Sequence, residues 1–193
     1  MTPFHMIAVG TSLGGFEALK TMLGGLPEDF PAAIAVVQHR SGQDSEGMLG
    51  LMEPYVRLPL VEVEDKEEIR GGYVYVCPPN YHLVAERDYF ALSADSPVLH
   101  ARPSIDVLFE SVAESFGERA IGVLLTGMSR DGTAGLAKIK EFGGFAVVQD
   151  PASAEGQTMP ESAIASVAID KVLPLAEIAP FLVELCAGQR SRA

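Results

Sequence analysis

The chain has 193 residues, of which 48% are hydrophobic, and a formal net charge of -12. That length and composition fit one globular domain, residues 1–193, with a sizeable core. The acidic balance excludes a nucleic-acid binder, which needs clustered Lys and Arg against phosphate, and it repels anionic lipid.

Cys77 and Cys186 form neither a disulfide framework nor a Cys-x-x-Cys metal or redox pair. The opening "MTPFHMIAVG" lacks the basic flank and long apolar region of a signal peptide. No apolar run reaches the roughly 18 residues of a membrane span. The expectation is a cytoplasmic protein with no direct membrane insertion.

In chain order, short apolar runs at 6–9, 32–37, 73–77, 120–125 and 145–148 read as strands buried on both faces of a parallel sheet. Helical spacing appears at 16–23, 105–116, 133–142 and 175–185. Gly143-Gly144 marks a helix stop, and Pro160 suits the first turn of a short helix through Ala165. Strands alternating with helices predict a doubly wound, mostly parallel α/β fold with helices on both faces. The stretch 52–96 alternates apolar and polar residues and reads as a small antiparallel insertion decorating the sheet. The acidic run 62–68 reads as a solvated face, and the chain shows no internal repeat.

The residues "GTSLG", 10–14, match the G-x-S-x-G nucleophile elbow between a strand and a helix, where a sharp turn lifts the serine oxygen above the sheet. Ser12 as a helix cap and the turn as a phosphate loop are the alternatives. Neither G-x-G-x-x-G nor G-x-x-x-x-G-K-[ST] is present.

A serine nucleophile needs a base, and His39 leaves the second strand at the same edge as Ser12. His5 lies at the opposite edge, while His82 and His100 fall in or beside the insertion. Asp131, after "GVLLTGMSR", is the candidate orienting carboxylate, with an N-cap role as its alternative. Asp150 is the runner-up, and Asp106 reads as serving the dipole of its own helix. The order Ser, His, Asp departs from the Ser, Asp, His order of α/β-hydrolases.

At "VGTSLGGFEAL", "VVQHRSG", "RPSIDVLF", "GVLLTGMSRDGTAGL", "VVQDP" and "MPESAI" the sequence resembles the catalytic domain of the bacterial chemotaxis protein-glutamate methylesterase. The resemblance runs from Ile7 to about Leu185. It implies a Ser12, His39, Asp131 triad that hydrolyses glutamate methyl esters on receptor cytoplasmic helices and deamidates selected glutamines. It implies an acyl-enzyme and neither metal nor organic cofactor. The backbone N–H groups of Leu13 and Met128 are the expected oxyanion donors.

The family's usual form carries an N-terminal receiver domain, whereas the serine strand here begins at the N-terminus, so the expectation is a stand-alone form with a separate regulatory protein. Leu13 stands where many members have a small hydroxyl residue, and Ser129-Arg130 alters the loop before Asp131. Arg40, Arg102 and Arg130 are candidates for drawing an acidic substrate to an acidic enzyme, or are plain surface residues. The competing readings are an adaptor that binds receptor or partner helices with little turnover, and a nucleotide-binding domain.

Overall fold

The apolar runs carry no polar alternation, so each must bury both faces. In the computed structural model, which describes residues 6–39 and 47–187, they do so as strands of one parallel sheet. The elements are β1 (Met6–Thr11), α1 (Gly15–Gly24), β2 (Ala33–Gln38), α2 (Met48–Met52), β3 (Leu60–Glu62), β4 (Glu67–Glu68), β5 (Val74–Val76) and β6 (His82–Ala85). They continue as β7 (Tyr89–Ser93), α3 (Ile105–Phe116), β8 (Ala120–Leu124), α4 (Thr133–Glu141), β9 (Phe145–Gln149), α5 (Thr158–Ser166), β10 (Lys171–Leu173) and α6 (Leu175–Ala187).

Among the described residues the large sheet has seven strands in the order β10-β9-β8-β1-β2-β5-β3, all pairs parallel. The chain moves outward from β1 through β2 on one side and resumes at β8 on the other. The crevice above β1, β2 and β8 is therefore the topological switch point, where open α/β sheets place their sites.

Alternation along β1 sends Met6 and Ala8 into one core layer with α3, α4 and α5, and Ile7 and Val9 into the other with α1, α2 and α6. The fold is thus doubly wound, with helices on both faces as expected. In α3, Ile105, Leu108, Phe109, Val112 and Phe116 recur at helical spacing and are all buried. Ser104 caps its start, and Gly117 at φ 54 ends it.

Within 52–96, β5 is the parallel-sheet strand read from the run 73–77, and β3 is the departure from the antiparallel expectation. β3 and β5 extend the large sheet in parallel, and β4, β7 and β6 form the separate antiparallel sheet. β5 is wholly buried and joins the core edge, whereas β3 is a short, half-exposed edge strand with little apolar signal. The small sheet rests on α3, where the Ala85 N–H donates to Ser111 Oγ and Ser115 Oγ donates to the Ala85 carbonyl. No helix among the described residues is long and apolar enough to cross a membrane.

Candidate active site

β1 passes into a tight turn whose Gly14 holds φ 74, a left-handed conformation that a β-carbon resists. Thr126, two residues beyond β8, ties this turn down. The Ser12 N–H and Thr11 Oγ1 both donate to the Thr126 carbonyl at 2.9 Å, and Thr126 Oγ1 donates to the Leu13 carbonyl at 2.8 Å. Thr126 Oγ1 accepts the Gly156 N–H at 2.7 Å, and the Thr126 N–H donates to Gln149 Oε1 at 2.9 Å. Behind the turn, a β-carbon on Gly127 would lie 2.9 Å from Ser12 Cβ, so only glycine lets the two strand exits approach this closely.

α1 takes Gly14 as its N-cap with no side-chain cap bond, and Ser12 Oγ makes no hydrogen bond among the described residues. Ser12 therefore does not cap the helix. Its hydroxyl is left for other chemistry.

His39 follows β2 directly, and its N–H donates to the Thr11 carbonyl at 3.0 Å. Ser12 and His39 thus leave neighbouring parallel strands at one edge, as expected. The imidazole Nε2 lies 2.7 Å from Asp131 Oδ2. With Nε2–H donating to the carboxylate, Nδ1 is the ring nitrogen left with a lone pair.

Asp131, in the turn between β8 and α4, is fully buried against the N-terminus of α3. Ser104 Oγ and the Asp106 N–H donate to its Oδ1 at 2.8 and 2.9 Å, and the Ile105 N–H donates to Oδ2 at 2.7 Å. Burial pushes this carboxyl upward, but the bonds from His39, the two backbone N–H groups and Ser104 outweigh it and hold the pKa below the ordinary aspartate value. The helix N-terminus favours the same anion. Asp131 does not cap α4, whose N-cap is Gly132 with no side-chain bond.

Asp106 differs from the sequence expectation. Its carboxylate turns from its own helix to α4, accepting the Gly132 and Gly135 N–H groups at 2.9 and 2.7 Å. Asp150 accepts from the Ala152 N–H and caps a short 3-10 turn away from His39. His82 is buried with both ring nitrogens bonded to backbone groups. His100 lines a cavity of about 330 Å³ together with His39, Leu99, Arg102 and Ser129.

The Leu13 and Met128 N–H groups make no hydrogen bond among the described residues, and both side chains are exposed. Arg102 Nη1 donates to the Ala94 and Asp95 carbonyls at 2.9 and 3.0 Å, which ties the guanidinium to the loop. Arg130 lines a second cavity of about 650 Å³ between α4 and α5, together with Glu161 and Val167. Arg40 and His5 lie outside the described residues. Among the described residues no cluster of His, Cys, Asp or Glu is arranged to hold a metal.

The family model for CheB methylesterase matches residues 7–182, which span this whole arrangement. The chain belongs to the CheB methylesterase family. The crystal structure of the Thermotoga maritima CheB methylesterase catalytic domain superposes with a TM-score of 0.91 at 33% identity, covering 95% of this chain and 99% of that one. A Leptospira interrogans protein, named as a candidate protein-glutamate methylesterase/protein-glutamine glutaminase, is 46% identical over 94% of this chain and 95% of its own length. An Anaeromyxobacter dehalogenans protein-glutamate methylesterase/protein-glutamine glutaminase is 43% identical, and the match spans 94% of this chain but 53% of that protein.

Thr126, Gln149 and Ser104 support the CheB-type site without having been singled out in sequence. Thr126 directly follows the apolar run 120–125, and Ser104 precedes a helical pattern as an N-cap does. Gln149 carries no local signal, because its partner is 23 positions away in sequence.

Proposed function

We propose that this chain is a serine hydrolase that removes methyl esters from glutamate side chains of chemotaxis receptors, and deamidates receptor glutamines by the same acyl chemistry. The observation that carries the reading is the 2.7 Å bond from His39 Nε2 to a fully buried, low-pKa Asp131, with Ser12 and His39 leaving paired parallel strands at one edge. The names of the full-length-matched relatives support the substrate class.

In this reading His39 Nδ1 takes the Ser12 proton as Oγ attacks the ester carbonyl, and Asp131 stays ionised to stabilise the imidazolium. The tetrahedral oxyanion draws on the Leu13 and Met128 N–H groups, a kind of contact worth roughly 3 kcal/mol when one donor is removed. Its collapse breaks the C–O bond, and the imidazolium proton leaves with methanol. Water, deprotonated by His39, then attacks the acyl-serine and releases the glutamate carboxylate, restoring the Ser12 hydroxyl. With glutamine the departing group is ammonia. The substrates are receptor cytoplasmic helices, and the site of action is the cytoplasm.

Methanol release from a methylated receptor cytoplasmic fragment tests this. The expected result is steady release by the unmodified protein, none from an unmethylated fragment, and a fall of at least about 1,000-fold in Ser12→Ala. Release that survives Ser12→Ala sinks the reading.

A further inference from the structure

His82 lies on β6 in the small antiparallel sheet, outside the serine turn, yet it is 1% exposed and has a partner for each ring nitrogen. Nδ1 accepts the Ser104 N–H at 3.1 Å, and Nε2 lies 3.2 Å from the Ser96 carbonyl oxygen, which can only accept. The two partners together select the neutral tautomer with its proton on Nε2.

A core histidine bonded to two backbone groups is ordinarily a structural clasp. This one is set apart by what it clasps. Ser104 Oγ donates to Asp131 Oδ1 at 2.8 Å, and the next two N–H groups of the chain, from Ile105 and Asp106, donate to the same carboxylate. The other end of that carboxylate meets His39 Nε2 at 2.7 Å. An unbroken line of bonds thus runs from His82 through Ser104 and Asp131 to His39.

We infer that His82 is a positioning residue for the hydrolysis: by accepting the Ser104 N–H it sets where α3 begins, and with it the direction in which Asp131 holds the His39 ring. This rests on the reading of Ser12, His39 and Asp131 as the reacting groups. Ser104 is fully buried, so its N–H has no water to turn to when the acceptor is removed. Ser104 then rotates, Asp131 loses one of its four donors or shifts with it, and the His39 lone pair is misdirected. Misplacement of this kind acts on the chemical step, which depends steeply on geometry, and leaves substrate binding in place.

Two substitutions separate the nitrogens. In His82→Asn the side-chain amide oxygen falls near the Nδ1 position and keeps an acceptor for Ser104 while giving up Ser96. In His82→Gln the longer side chain reaches the Nε2 position and keeps the Ser96 bond while giving up the Ser104 acceptor. The expected result is that His82→Asn holds kcat within about twofold while His82→Gln loses about tenfold, with KM nearly constant in both. The downfield proton resonance of the His39–Asp131 hydrogen bond should persist in the first and shift or broaden in the second.

Equal kcat in the two variants, or losses that simply follow melting temperature, overturns the inference. In the unmodified protein, nitrogen NMR shifts should report the Nε2–H tautomer for His82, and the Nδ1–H tautomer would overturn it without any variant. Ser12→Ala is assayed alongside. Turnover retained there defeats the triad reading itself, a result distinct from any His82 outcome.

Discussion

Asp131 and Asp106 lie side by side behind the serine turn, and their surroundings shift them in opposite directions. Asp131 is held low by its donors, whereas burial of Asp106, opposed by the Gly135 N–H and reinforced by the Asp131 charge, pushes its pKa up to about 6. Between the ordinary value of 3.8 and about 6 the native state therefore binds a proton at Asp106 that the unfolded chain does not, so stability rises as pH falls through about 6. The Asp131 contribution has the other sign: it is complete above 3.8 and is lost as pH falls through its depressed native value. From pH 7 to pH 5 the Asp106 effect should add on the order of 1 kcal/mol to the unfolding free energy. Asp106→Asn keeps an oxygen for the Gly132 and Gly135 N–H groups and should remove this gain. Urea unfolding across that range checks it, and a slope that persists in the variant defeats the assignment. Ser12, His39 and Asp131 were legible because each directly follows a strand or its turn. The Asp106 role was not, because both of its partners belong to another helix.

At the level of elements, α3 and α4 cap one another. Asp131, just ahead of α4, accepts the first N–H groups of α3, and Asp106, in the first turn of α3, accepts those of α4. The pair is seated on β1 through Gly10, where an added β-carbon would collide with Ile105 Cγ2. Gly10→Ala should therefore push the N-terminus of α3 off the sheet and carry Asp131 with it. The expected cost is about 1 to 3 kcal/mol of stability, with kcat falling by at least about tenfold. Adding Ile105→Ala opens the space again, so the double variant should be less impaired than the two single losses combined. Denaturation and methanol release on all three variants measure this, and strict additivity would show that the contact does not set the position of α3. The strongly periodic α3 was readable in sequence. The short elements α2, β3 and β10 were not, since three to five residues hold too little pattern to stand out.

Across the whole molecule the net charge of -12 opposes encounter with an acidic receptor segment. For such a fragment kcat/KM should rise as salt is raised from about 20 to 200 mM while kcat stays constant, because screening acts on approach far more than on the largely buried His39–Asp131 pair. A kcat/KM that falls with salt would show that local positive charge, with Arg102 and Arg130 its described candidates, governs approach instead. The sequence by itself determined the central strands β1, β2, β5, β8 and β9 and the longer helices around them, since burial on both faces demands continuous apolar runs and amphipathic helices show their period locally. It also brought Ser12, His39 and Asp131 forward as the candidate reacting groups, because a parallel sheet carries every strand exit to one edge. The tertiary structure alone decided how those exits are held: Thr126 under the serine turn, the paired caps of Asp131 and Asp106, and the line from His82. Each of these joins residues far apart in the chain, and a hydrogen bond over that separation leaves no periodicity, spacing or composition to read.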